Sequence, residues 1–371
     1  MTKSFASDGL PLDFLVSRRD LRECKFVTGS HVSDEALHPG QVVLGLDKFG
    51  LTANNVTYAA LGDTMGYWKF FPAPEGWGRI PVWGYADVLQ SRHPEIAPGS
   101  RLYGYFPMST KLIAQFGAAT GNHFIETSPH RRDLPAVYNR YALIAPGRGV
   151  DNRAESLQAA FRPLFNTSFL LDDFLADRGF FEARNVIIGS ASSKTALGLA
   201  CLLSLRRDRP GEVIGLTSAA NAEFVKRCGF FDRIATYDKI ESIPNHSSAV
   251  FIDMSGNGDV VSAVHRHLGA CLTYSCKVGL THWRKAATDH VLPGVQPTLF
   301  FAPAQAQKRT LEWGAEGFLA QSDASWAQLT EMISGCVDVV HSVGHESVQR
   351  VYLNLLEQRI RPDQSHVLSW S

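Results

Sequence analysis

The chain has 371 residues, 45% of them hydrophobic, which exceeds one ordinary domain of about 100–200 residues and suffices for a full core. Its 36 Lys and Arg balance 36 Asp and Glu, and a zero net charge argues against a general nucleic-acid binder or a polybasic membrane surface. The first 14 residues lack a basic-then-apolar leader pattern, and no run approaches the roughly 18 apolar residues of a membrane span, so a soluble cytoplasmic protein with neither nucleic acid nor membrane as partner is expected.

The first 150 residues are rich in Gly, Pro and aromatics, with short strand-like runs such as Gln41–Leu46 and no long helical period, which predicts a β-rich domain. Pro98-Gly99-Ser100 reads as a turn feeding an extended run, Arg101–Tyr105. Residues 155–182 carry Leu157, Phe161, Leu164, Phe165, Phe169, Leu170, Phe174 and Leu175 at helical spacing, a connection between domains. From Asn185 the pattern alternates: strand Val186–Ile188, helix Thr195–Leu205, strand Val213–Leu216, helix Asn221–Cys228, strand Ala249–Asp253, helix Val260–Leu268, strand Cys271–Tyr274. Continuous apolar strands between helices require a parallel sheet covered on both faces, hence a doubly wound α/β domain. After about residue 305 one more amphipathic helix, Val348–Leu356, and an extended end, His366–Trp370, are expected. The cysteines, Cys24, Cys201, Cys228, Cys271, Cys276 and Cys336, form no CxxC pair and read as reduced, mostly buried thiols.

Gly189-Ser190-Ala191-Ser192-Ser193-Lys194-Thr195 follows the first apolar strand and opens a helix. In a doubly wound sheet such a turn holds a pyrophosphate, because backbone N–H groups and the helix dipole face the anion and only small side chains allow its approach. Serine hydroxyls and the Lys194 ammonium stand in for the missing glycines, against the plainer reading of a capped strand-to-helix turn. A P-loop fails, since Ile188 and Ser193 occupy its two glycine positions. The second strand ends in Thr217-Ser218, with no carboxylate to bond a ribose 2′-hydroxyl or repel a 2′-phosphate, so NADPH is favoured over NADH, with Ser218 and Asn221 as donors. Lys226 and Arg227 lie about a turn later, as phosphate ligands or as solvated charge.

The β-rich beginning, late dinucleotide domain and C-terminal return resemble the medium-chain dehydrogenase/reductase superfamily. The resemblance runs through Asn55-Val56-Thr57-Tyr58, similar to that superfamily's pocket strand, Gly99-Ser100-Arg101-Leu102, the Gly189–Thr195 turn, and Cys228-Gly229-Phe230-Phe231-Asp232 with Thr236-Tyr237. More closely, the chain resembles a bacterial family of unknown function allied to it, the domain-of-unknown-function 2855 family. That likeness is carried by Gly66-Tyr67-Trp68-Lys69-Phe70-Phe71-Pro72, Tyr103-Gly104-Tyr105-Phe106-Pro107, Arg162-Pro163-Leu164-Phe165, Ser190–Thr195 and Pro362–Ser369. The Cys and His ligands of zinc-dependent members are not recognisable, and what remains resembles zinc-free quinone and enoyl reductases, in which NADPH delivers hydride to a conjugated carbonyl or alkene.

The resemblance implies a Rossmann-like domain over 156–304 and a GroES-like catalytic domain over 1–155 and 305–371, with NADPH between them and no metal. Tyr58 and Tyr67 are the candidate acids, since a phenol polarises an oxygen and donates a proton without carrying charge at neutral pH; each is equally readable as a core tyrosine. Lys69, two residues on from Tyr67, would share its face on an extended chain, or snorkel past Trp68 and Phe70. Asn55, Trp83 and Phe301 are candidate substrate contacts. Tyr237, Asp253, Ser255, Gly256 and Cys276 join the cofactor set by their place at strand ends. His341 and His345 are spaced i, i+4, but Ser342-Val343-Gly344 breaks the helical pattern, so no metal site is expected. His123, His130, Arg131 and Arg132 read as a solvated basic loop or a contact to an anionic substrate. The expected activity is NADPH-dependent hydride transfer to an activated carbonyl or alkene of a small-molecule substrate, the alternative a non-catalytic NADPH-binding protein; a homodimer is expected by analogy.

Overall fold

Turn-rich and βα-alternating halves separate in a computed structural model of the chain, which describes residues 11–28, 37–145, 152–278 and 292–370; the beginning of the leader-pattern reading, residues 1–10, lies outside them. The chain divides into two units, one of residues 1–160, 340–359 and 366–371, the other of 161–339 and 360–365. In chain order the elements are β1 (Leu12–Ser17), β2 (Cys24–Thr28), β3 (Gln41–Leu51), α1 (Ala53–Ala60), β4 (Trp77–Gly78), β5 (Pro81–Ser91), β6 (Arg101–Pro107), β7 (Lys111–Gln115), β8 (His123–Ile125) and β9 (Arg140–Ile144). There follow α2 (Asn152–Asp177), β10 (Asn185–Gly189), α3 (Lys194–Leu205), β11 (Glu212–Thr217), α4 (Ala222–Cys228), β12 (Arg233–Thr236), β13 (Ala249–Asp253), α5 (Gly258–Leu268), β14 (Leu272–Lys277), β15 (Thr298–Leu299), α6 (Ala302–Ile333), β16 (Asp338–Val343), α7 (His345–Leu356) and β17 (Gln364–Ser369).

The first unit is built on antiparallel pairing. Its large sheet runs β16-β17-β3-β5-β6-β9-β8, with β7 also on β3, and a small sheet runs β2-β1-β4. The β5–β6 register sets Trp83 opposite Tyr105 and Tyr85 opposite Tyr103. Because alternate residues share a face, all four rings stand on one side, with centroids 5.1 Å apart in each pair. The strand expected over Asn55–Tyr58 is instead part of α1: Asn55 accepts from the Thr52 N–H at 2.8 Å as a capping-box partner, closing the helix's first turn.

The second unit holds a six-stranded, all-parallel sheet in the order β12-β11-β10-β13-β14-β15. Strands covered on both faces lose their polar alternation, and β10 and β13 are buried at every position. Ile187, Ile214, Leu216, Phe251 and Val264 form its core. The order places β10 beside β13, where the direction of the crossovers reverses, and ligands of such sheets sit outside the strands' carboxyl ends at that reversal.

The chain returns to the first unit near residue 340, not near 305. The difference is α6, a 32-residue helix in the second unit that the hydrophobic pattern did not predict. Its buried positions include polar Gln305 and Ser322, and a left-handed Gly314 (φ 72°) interrupts it, which together erase the apolar stripe.

A partly buried charge network closes one side of the first unit's large sheet. Arg101 bonds Asp47 at 2.6 Å, Asp87 at 2.8 Å and both Glu155 oxygens at 2.9 Å, and Lys48 reaches Glu155 at 2.8 Å. Burial already holds the Asp87 carboxyl above its ordinary range. Arg101→Ala removes the guanidinium that three carboxylates share, leaving Glu155 with Lys48, and is expected to cost about 3–5 kcal/mol, read as a lowered urea midpoint; Arg101→Lys restores only part, because one ammonium cannot satisfy three partners as a guanidinium fork does.

Candidate active site

The second unit gathers most of the expected cofactor residues at the carboxyl edge of its sheet. β10 ends at Gly189, where a Cβ would press on the Phe251 ring at 3.3 Å and touch Asp253 Oδ1 at 3.5 Å, so glycine keeps the strand end open. Ser190 takes a left-handed backbone (φ 52°) and turns the chain, Ala191 N–H bonds Leu216 O, and Ser193 caps α3 by accepting from Ala196 N–H at 3.3 Å. That leaves Lys194 and Thr195 N–H at the helix's first turn, where no intrahelical acceptor exists. Ser168 fixes the approach of α2 by donating to Thr195 O at 2.8 Å. Ser192 Oγ accepts from Asn221 Nδ2 at 3.1 Å, which joins this turn to the one after β11, where Asn221 N–H bonds Ser218 O.

On the other side of the turn, Tyr237 lies against Ser190; burial pushes its phenol up, and hydrogen bonding to Ser190 opposes that. Asp253 accepts from Ser255 N–H (2.8 Å), Ser255 Oγ (2.6 Å) and Gly256 N–H (3.1 Å), so its carboxylate shapes the loop between β13 and α5. Burial, with Asp253 adding, pushes the Cys276 thiol up to about 12, which keeps it protonated. Thr217 escaped the sequence reading. It ends β11 with a buried hydroxyl that has no hydrogen-bond partner among the described residues, a donor at the sheet edge where a ribose is expected.

Lys194 departs from the expected phosphate contact. Its ammonium donates to Gln364 O at 2.8 Å and lies 5.8 Å from the centroid of the Phe161 ring, and burial lowers its pKa to about 8 against a smaller opposing effect of Asp363.

The first unit gathers the candidate acids. Tyr58, Tyr67, Phe70, Phe71, Trp83, Tyr105 and Tyr138 pack as one aromatic cluster. Gly66, left-handed at φ 75°, starts the short helical turn Tyr67–Lys69, which carries Tyr67 to within 4.6 Å of Tyr58, ring to ring. Tyr67 and Lys69 therefore do not share a face as they would on an extended chain, and Lys69 is exposed. Tyr67 Oη lies 3.3 Å from Tyr138 Oη. Burial raises the phenols of Tyr58, Tyr67, Tyr105 and Tyr138, so the cluster is neutral across the physiological range. Two buried polar atoms in it, Tyr105 Oη and Trp83 Nε1, make no hydrogen bond within the described residues.

Tyr138 was missed, because a lone tyrosine after Pro135 carries no signal. What holds it was misread as a solvated loop. Arg131 is 2% exposed, paired with Glu126 at 3.1 Å, and donates to Tyr138 O (2.7 Å), Asn139 Oδ1 (2.9 Å) and Tyr141 Oη (3.1 Å). Asn55, expected as a substrate contact, has its amide engaged by Thr52 N–H and by Pro81 O at 2.8 Å. Phe301 is half-exposed at the start of α6, away from the cluster's residues in sequence and in the second unit. His341 lies in β16 and His345 begins α7, with Gly344 between, so the two do not share a helix face.

A family profile described as "Protein of unknown function (DUF2855)" matches residues 49–361. The chain belongs to this family. No protein curated for function matches its sequence. Among solved structures, this DUF2855 protein is similar to CurA of Vibrio vulnificus in complex with NADPH, at 12% identity over 97% of this chain and 99% of that one, with a TM-score of 0.64. It is also similar to a mutant enoyl thioester reductase of Candida tropicalis (10% identity, 98% and 100% covered, TM-score 0.56) and to the yhdH oxidoreductase of Salmonella enterica in complex with NADP (13%, 97% and 100%, 0.52). At such identities the likeness establishes the fold, a GroES-like part with a Rossmann-like part as in medium-chain reductases, as the sequence led one to expect.

The Lys194 ammonium supplies a test that needs no ligand. With its folded pKa below the unfolded 10.5, the unfolded chain binds the extra proton between about pH 8 and 10.5, so wild-type stability rises with pH across that window. Lys194→Met is expected to be more stable than wild type near pH 7, with the gain shrinking as pH rises toward 10.5, measured as Tm against pH.

Proposed function

We propose that the protein is an NADPH-dependent, zinc-free oxidoreductase that reduces an activated carbonyl or alkene of the enone or quinone type. The observation that carries this reading is the β10–α3 turn at the sheet's reversal point, open at Gly189 and bounded by Ser190, Ser192, Ser193 and Thr195, with a second strand that ends in Thr217-Ser218 instead of an acid. The residues fit a dinucleotide: α3's first N–H groups face a pyrophosphate, Thr217 and Ser218 offer hydroxyls to the ribose, and no carboxylate at the end of β11 repels a 2′-phosphate. The NADPH and NADP complexes of the structurally similar proteins support the same choice.

Bound NADPH supplies hydride to the substrate carbon. The chain's own part is to hold the substrate oxygen and return a proton to it or to the adjacent carbon. Tyr67 suits that role better than Tyr58, because Tyr58 is 5% exposed whereas Tyr67 is partly open and has Tyr138 to hold its hydroxyl. Trp83 Nε1 and Tyr105 Oη are further donors for a developing oxyanion. The competing reading, a cofactor-binding protein without turnover, draws on Asn55, whose amide is already engaged.

Fluorescence titration is expected to show tighter binding of NADPH than of NADH, with Ser218→Asp weakening NADPH selectively by about tenfold or more through like-charge repulsion; equal or absent binding of both nucleotides in wild type would sink the proposal. With menadione or an alkenal as acceptor, Tyr67→Phe is expected to lower kcat by roughly 100-fold or more while leaving nucleotide affinity unchanged. Since burial holds Tyr67 above its ordinary value, the basic limb of the pH profile is expected above pH 10. NADPH binding without turnover of any acceptor would favour the non-catalytic reading.

A further inference from the structure

Three of the six cysteines and a methionine meet in the second unit. Cys201 on α3 lies with its Sγ 3.5 Å from Met332 Sδ on α6. Cys336, just past the end of α6, has its Sγ 3.9 Å from both Met332 O and Cys228 O. Cys228 is the last residue of α4 and is followed by a left-handed Gly229 (φ 73°). The two thiols are also hydrogen-bond partners of one another, side chain to side chain, so the sulfurs face each other as a disulfide requires. The thiols differ in access: Cys201 and Cys228 are buried, whereas Cys336 is partly exposed in a turn where Gly335 leaves open space. Burial first, and then the neighbouring Cys336, hold the Cys228 thiol well above its ordinary value, as does its place at a helix C-terminus.

We propose that Cys336 and Cys228 are a peroxide-responsive pair that closes to a disulfide and ties the end of α4 to the end of α6. The Cys336 sulfur attacks one peroxide oxygen and the O–O bond breaks; the departing hydroxide takes the thiol proton as water, leaving a sulfenic acid. The Cys228 sulfur then attacks the Cys336 sulfur, the S–O bond breaks, and the hydroxyl leaves with the Cys228 proton as a second water. Both sulfurs are oxidised and the peroxide is reduced to two waters. Cys201, whose sulfur packs on Met332 Sδ, stays reduced.

The test treats the fully reduced, full-length protein with a small excess of hydrogen peroxide and maps peptides without reductant. The expected result is loss of two of the six thiols on titration in denaturant, a Cys228–Cys336 linked peptide, and a higher Tm that reductant reverses. Cys228→Ser and Cys336→Ser each remove the link and the Tm gain, and Cys201→Ser keeps both. A Cys201–Cys336 link, sulfinic acid on Cys336 with Cys228 still free, or six thiols remaining would each overturn the proposal. Mapping of the wild type decides even where a variant fails to fold, and none of these readouts depends on turnover or nucleotide binding.

Discussion

What the second unit offers a ligand follows from one constraint: β10 is paired in parallel with β11 on one side and β13 on the other. The chain leaves β10 for β11 and β12 on one side and comes back to add β13 and β14 on the other, so the loops after β10 and β13 diverge and leave a gap at the sheet edge. Everything near that gap must be small or already engaged. A Cβ on Gly189 would press on the Phe251 ring, Ser190 accepts a left-handed turn, and the Asp253 carboxylate is bound by its own loop. A charged or bulky side chain here would fill the space that the sheet order creates.

The first unit solves a different problem, burying a set of phenols, of which Tyr105 Oη has no hydrogen-bond partner among the described residues. Tyr67 and Tyr138 share a hydroxyl contact, and Tyr141 donates to Tyr105 O. Arg131 anchors this side: a guanidinium with almost no exposure is tolerable only because Glu126, Asn139, Tyr138 and Tyr141 all meet it. The rings of Phe70 and Phe71 lie 5.2 Å from it, so the cation also faces aromatic density. The Tyr138 backbone is therefore held by a buried charge seven residues away in sequence, and its hydroxyl meets that of Tyr67.

These two units were unequally legible. The alternation from Asn185 to Tyr274 is a direct consequence of burial on both faces, and each strand and helix expected there is present, with ends moved by a residue or a few. α1 was hidden because eight residues show barely two turns, and its start is a reciprocal Thr52–Asn55 cap that resembles any polar loop in sequence. α6 was hidden for the opposite reason: it is long, but mostly solvated, and Ala, Gln and Glu favour helix by propensity without writing an apolar stripe. At the strand-to-helix turn after β10, the tight backbone was readable from its small side chains, as the left-handed Ser190 and the Ser193 cap of α3 bear out. Lys194 was not, since a flexible four-carbon stem reaches either toward a phosphate or back to Gln364, and only packing decides.

The same argument bears on cofactor choice. Of the two cations expected to discriminate a 2′-phosphate, Lys226 is exposed, and Arg227 lies over Phe224 at 5.7 Å and 3.8 Å from Asp363. Asp363 in turn is held below its ordinary value, first by its bond to Arg361, which favours its charged form beside Arg227. A cation already attended by a carboxylate gains less from a phosphate than a free one does. On the proposed reading, preference for NADPH then rests mainly on the hydroxyls of Thr217 and Ser218 and on the missing acid at the end of β11. Selectivity built from neutral donors and an absent repulsion responds weakly to ionic strength, unlike selectivity built on a phosphate clamp of exposed arginines.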